Sequence, residues 1–178
     1  AVDLAVNDFG DVAVCCNYYS EDITVTGVED ILNNGYAKEG EADQYHIGIF
    51  AFDKETGTYR WWYSWGYNST VGGGGGEAYV LRCTDEGVYY IGANCSGRYG
   101  DLYTHDHFAT ANYGLRLIDG TWVQHNTNGG ADALYFVLNR EGKLCSIART
   151  GGAQTERLKD IALSPDKKSV YFLYNMCV

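Results

Sequence analysis

One phrase is written three times along this chain, and it leaves few folds open. It reads DLAVNDFGDVAV at Asp3 to Val14, EAYVLRCTDEGVYYIG at Glu77 to Gly92, and DIALSPDKKSVYF at Asp160 to Phe172. Each copy holds an acidic residue, an alternating apolar run, a turn and a second apolar run. Alternation with period two puts the apolar side chains on one face of a strand, and Asn, Asp and Gly between two such runs tolerate the backbone angles of a tight turn. Each copy therefore predicts a β-hairpin. In the third, Pro165 presets φ for the second position of the turn.

A second phrase alternates with the first. It appears as HIGIFAFDKETGTYRWWYSWG, His46 to Gly66, and returns as DALYFVLNREGKLCSIARTGG, Asp132 to Gly152. In both, an apolar run ends in Asp53 or Asn139, a turn with Gly57 or Gly142 follows, and a second run closes on Gly66 or Gly151. Gly57 and Gly66 are as far apart as Gly142 and Gly151, which ties the two copies together. With the first phrase named A and the second B, the order is A (3–17), B (44–66), A (77–95), B (131–152), A (159–176). Two inserts, 18–43 and 96–130, separate A from B, and short joints, Asn68 to Gly76 and Ala153 to Lys159, separate B from the next A.

One A with one B makes four strands, and a four-stranded antiparallel sheet repeated along a chain is the unit of a β-propeller. The expected organisation is a first blade-like repeat at 1–66 with the insert 18–43, a second at 77–152 with the insert 96–130, and a C-terminal half-blade hairpin at 159–178. Sixteen Tyr, four Trp, 23 Gly and a single Pro fit an all-β chain, since Tyr and Trp favour strands and Gly serves turns. The alternative is that the ten strands close on one another as a β-sandwich.

The A–B pattern resembles the repeat of the secreted bacterial β-propeller family. That repeat carries an acidic residue, an alternating strand, a D-x-x-G-like turn, a vYvtG-like strand and a daFvaklD-x-x-G-x-x-x-W run. The matching residues are Asp3, Gly10, Gly87, Tyr89, Gly92, Asp53, Gly57, Trp61, Asp132, Asn139 and Gly142. The resemblance leaves out the two inserts. It implies four-stranded blades of which this chain holds two and a half.

A net charge of −10 argues against nucleic acid and against anionic membranes, both of which demand basic surface. No apolar run reaches the length of about 20 residues that spans a bilayer. The six cysteines, Cys15, Cys16, Cys83, Cys95, Cys145 and Cys177, are an even set and are candidates for disulfides in an oxidising compartment, with the pairing open. Cys16, Cys95 and Cys177 read as equivalent positions at the rim of each sheet. Sequons at Asn68 and Asn94 add to the expectation of a secreted or cell-surface glycoprotein, and AVDLAV reads as the mature end left by a removed signal.

Candidate sites are few. YTHDHF puts His105 and His107 around Asp106, and in a strand residues two apart share a face, so both imidazoles would reach one zinc ion. Calcium is the other cation considered, through Asn7, Asp8 and Asp11 or through Asp53 with Glu55, without EF-hand spacing. YRWWYSW places Arg60, Trp62 and Ser64 on one strand face and Tyr59, Trp61, Tyr63 and Trp65 on the other. Arg60, Trp61, Trp62 and Trp65 are therefore candidates for an interface or a sugar-stacking platform. No catalytic motif is present, and the chain is read as a non-enzyme without an obligate cofactor. Two and a half blades leave strand edges that template another chain, or that further repeats cover when this stretch is a module within something longer. The expected function is that of a structural protein that self-associates with copies of itself, as a filament or a surface assembly. The alternative is a lectin-like propeller assembled from several chains and binding glycans.

Overall fold

The computed structural model describes residues 1–18, 22–23, 32–33, 46–65, 76–95, 98–99, 115–123, 125–126 and 131–175. The alternating runs form strands because each has one apolar face to bury and a turn that can reverse it. Four of the turns share one hydrogen-bond pattern. Asn7, Thr84, Leu117 and Asn139 each donate their N–H to the carbonyl four residues on and accept from the N–H three residues on. The residue three positions on must take positive φ, which is why Gly87 (φ 80) and Gly142 (φ 75) stand there. Lys167, at φ 55, occupies the corresponding place in the last hairpin, whose turn is one residue longer.

In chain order, β1 (Asp3–Val6) and β2 (Asp11–Tyr18) form the first hairpin. Then β3 (Asp22–Ile23) and β4 (Leu32–Asn33) pair as a small ribbon. Next come β5 (His46–Asp53), β6 (Tyr59–Trp65), β7 (Gly76–Cys83) and β8 (Tyr89–Cys95). Within the second insert β9 (Arg98–Tyr99) pairs with β12 (His125–Asn126), and β10 (Leu115–Arg116) with β11 (Trp122–Val123). The chain continues with β13 (Asp132–Leu138), β14 (Leu144–Thr150), β15 (Arg157–Leu163) and β16 (Val170–Asn175). Among the described residues every regular element is a strand.

Hydrogen bonding sorts the long strands into two four-stranded antiparallel sheets, β1-β2-β5-β6 and β7-β8-β13-β14, and one hairpin, β15-β16. In each four-stranded sheet, one A hairpin has joined one B hairpin along the edges of β2 with β5 and of β8 with β13. No sheet closes on itself. The three pack face to face in chain order. Between the first two lie Ala13, Cys15, Ile47, Ile49 and Tyr63 on one side and Leu81, Tyr89, Ile91, Leu134 and Phe136 on the other. Between the second and the hairpin lie Val80, Ala133, Leu158 and Ile161. The middle sheet is thus apolar on both faces, and its β8 alternates between them: Ile91 faces the first core and Gly92 the second.

Several local expectations are corrected. The joint expected over Ala153 to Lys159 is already strand from Arg157, and Glu156 is buried with its N–H on the Ala131 carbonyl. Gly76, expected in the glycine joint, opens β7 opposite Cys95. Pairing register makes Tyr18 the counterpart of Cys95, since Tyr18 opens opposite His46 as Cys95 opens opposite Asp132; Cys16 is not its equivalent. In β6 a bulge at Arg60 breaks the strict alternation. Tyr59 packs edge-on against Phe52, while Trp61 packs against Tyr89 on the opposite face.

Candidate functional site

The joints between sheets are built from polar groups that reach across the apolar cores. Asn17, on β2, clasps the main chain of Ala78 on β7: its Oδ1 accepts from the Ala78 N–H at 2.8 Å and its Nδ2 donates to the Ala78 carbonyl at 3.1 Å. Asn94, on β8, accepts from the Leu158 N–H of β15 at 2.7 Å. An ion ladder runs alongside. Arg82 on β7 donates to Asp3 on β1 at 2.6 Å and to Asp160 on β15 at 2.8 Å, so one guanidinium links all three sheets. Asp3 also accepts from the Leu81 N–H. Among the turns, buried Asp11 holds Arg60 of its own sheet at 3.0 Å and Arg140 of the next at 3.5 Å, and Lys167 pairs with Asp85.

The same register positions that are core inside the stack are exposed at its two ends. Leu4 on β1 corresponds to Leu81 on β7 and Ile161 on β15, each three residues before its turn begins. Leu81 and Ile161 are 0% and 1% exposed; Leu4 is 60% exposed. Val6 beside it is exposed, and Val12, Val14, Phe50 and Phe52 continue the face with the register of Tyr89, Ile91, Phe136 and Leu138, which are core. Towards β6 the face closes: Phe50 is buried and stacks on Trp62 at 6.0 Å. At the other end Tyr171 and Leu173 on β16 are 61% and 62% exposed. Leu173 has the register of Cys15, which is core.

Among the described residues one strand also lacks the second partner that its counterparts have. β2 and β8 each pair on both sides, whereas β16 pairs only with β15. Beside that edge lies a cleft of about 360 Å³ lined by Tyr135 and Thr150 of the middle sheet and by Leu158, Phe172 and Tyr174 of the hairpin. It occupies the place that a B hairpin fills in the other two sheets. Tyr135 and Phe172 stack at 4.0 Å across its floor.

The residues singled out in the sequence fall as follows. Trp61 packs on the core against Tyr89 and over Gly142, where a Cβ would lie 2.5 Å from its ring, so it is an inter-sheet filler rather than an exposed platform. Arg60 is engaged by Asp11 and Asp53. Trp62 lies half-buried on the outer face of the first sheet, and Trp65 ends β6 opposite Ile47. Asp53 spends its carboxylate on its own turn. The N–H groups of Glu55 and Thr56, the Thr56 hydroxyl and Arg60 all bond to it, and they lower its pKa to about 2. Asn7 donates to Asp11 and to the Tyr89 hydroxyl. Burial, with Asp11 nearby, raises the pKa of Tyr89 to about 12. His105, Asp106, His107 and Asn68 lie outside the described residues, as does Cys177, and among the described residues no group of three or more His, Cys, Asp or Glu is placed to hold a metal.

Two readings are corrected here. Cys15, Cys16, Cys83 and Cys145 carry free thiols, not bridges. Cys15 and Cys16 are neighbours on one strand and point to opposite faces, with Cys15 filling the first core, and burial pushes the thiol pKa of all four up. Asn94 is 6% exposed with its carboxamide committed to Leu158, which leaves no room for a glycan. What sequence reading missed was Asn17 and Asn94 as clasps; their signal was an Asn at the same distance past each A turn.

No protein-family description, curated protein or solved structure matches this chain.

Proposed function

We propose that this chain is a non-catalytic assembly module of β-propeller type, two and a half blades long, whose open ends are completed by β-sheet from copies of itself. The observation that carries this reading is the exposure of Leu4 at a register position that is buried in both other sheets. A side chain of that size left in water forgoes about 1.5–3 kcal/mol of burial. Tyr171 and Leu173 at the far end, and the single-sided pairing of β16, are the complementary deficits. A head-to-tail contact between unlike faces propagates rather than closes, unless the rotation per copy completes a ring. The extracellular or cell-surface setting belongs to the same proposal and rests on the Asn68 sequon, the free thiols having removed the disulfide argument.

Sedimentation velocity from micromolar to near-millimolar protein tests it. The expected result is a mass that rises with concentration, and a Leu4→Asp variant that stays monomeric with an unchanged circular dichroism spectrum. A wild-type chain that remains monomeric throughout would refute the proposal. A small closed ring that also responds on a glycan array would favour the lectin-like reading over the filament.

A further inference from the structure

The clasp that joins the sheets recurs a third time, and there it grips nothing among the described residues. Asp11, Val88 and Ser169 are the residues whose carbonyls close the three A turns. Asn17, Asn94 and Asn175 each stand six residues beyond them. Asn17 and Asn94 grip Ala78 and Leu158, the residues just before the bulges at Tyr79 and Lys159 in β7 and β15. Asn175 ends β16 on the face of Tyr171 and Leu173, exposed, and its carboxamide has no partner among the described residues. The residue it would grip lies six positions before a turn begins, as Ala78 does before Thr84 and Leu158 before Ser164. Ahead of β1 that position is Ala1, six before Asn7, and the Val2 N–H already bonds to the Cys15 carbonyl beside Asp3 as a bulge residue does.

Side-chain sizes across the joints support the same occupant. In the second joint Gly92 leaves a gap that Leu158 fills; a Cβ on Gly92 would meet the Leu158 Cδ2. In the first joint Cys15 holds the Gly92 position and Ala78 the Leu158 position, two small residues. At the open ends the order is reversed: bulky Leu173 holds the first position and small Ala1 the second. The sum of each pair is kept within bounds, as close packing across a joint requires.

We infer that the outer face of β15–β16 receives the β1–β2 hairpin of a second copy of this chain, with the Asn175 carboxamide bonded to the Ala1 main chain and Leu4 covering Leu173. This rests on the assembly reading above and names its register. The Ala1 nitrogen donates to Asn175 Oδ1, and Asn175 Nδ2 donates to the Ala1 carbonyl, with the same two partners as at Asn17. Each joined copy exposes a fresh clasp at its far end.

Sedimentation equilibrium of the full chain tests this with three variants. Asn175→Ala removes the two bonds and is expected to raise the dissociation constant of self-association about tenfold. Ala1→Leu overfills the joint and weakens association likewise. Ala1→Leu with Leu173→Gly recreates the pairing of Leu158 with Gly92 and restores association, which loss of fold does not mimic. Unchanged association in Asn175→Ala and Ala1→Leu, while Leu4→Asp still abolishes it, would overturn the clasp and leave the assembly reading standing. A monomeric wild type overturns both.

Discussion

Gly92 is glycine because Leu158 has taken its space: a Cβ there would overlap Leu158 Cδ2 and lie 2.7 Å from Val80 Cγ1. Gly92→Ala is expected to destabilise the fold by about 1–3 kcal/mol in urea unfolding, the usual cost of overpacking. Asn94→Ala, which orphans the buried Leu158 N–H, is expected to cost about 1–3 kcal/mol in the same assay. When the chain is expressed in a glycosylating host, peptide mapping is expected to find Asn94 unmodified. Cys15 is expected to resist iodoacetamide until the protein unfolds, because burial holds it as the unreactive thiol. Asp53 has a pKa of about 2 folded against 3.8 in the open chain, so its contribution to stability is present above pH 3.8 and fades as pH falls towards 2. A carboxyl titration followed by NMR is expected to place its midpoint near 2. The matching Gly residues of the turns were legible in the sequence; the contact between Gly92 and Leu158 was not, because the two are neighbours only once separate hairpins stack.

Hairpins are the elements that local sequence writes most clearly: the five expected ones fall where alternation and turn residues put them, whereas the short β10–β11 hairpin inside the second insert was not foreseen. The bulges at Arg60, Tyr79, Cys145 and Lys159 were not legible, since one extra residue in a strand has no mark in composition. They matter because each shifts the face of every residue on one side of it, which moved Tyr59 away from Trp61. The pairing of A with B also sets local stability. β8 and β13 are central in their sheet and packed on both faces, whereas β16 has one partner strand and one exposed face. Native-state hydrogen exchange is expected to be slowest in β8 and β13 and fastest, among the long strands, in β16. Protection of β16 should rise with protein concentration when copies join there.

For the molecule as a whole, a charge of −10 works against the joining of like copies. Salt screens that repulsion within a Debye length of about 8–10 Å at physiological ionic strength, so self-association is expected to strengthen as salt is added, the reverse of what a nucleic-acid partner would give. Sedimentation at low and moderate salt checks the sign. The alternation, the turn residues and the repeat of A and B were enough, from sequence alone, to make this an all-β chain with five long hairpins in the A and B stretches, because period-two burial and positive-φ turns are local demands that each stretch meets by itself. Which hairpin edges pair, which faces become core and which remain open were decided only in the tertiary structure. Leu4, Leu81 and Ile161 are alike in their own strands, and their exposure differs solely through what lies across from them.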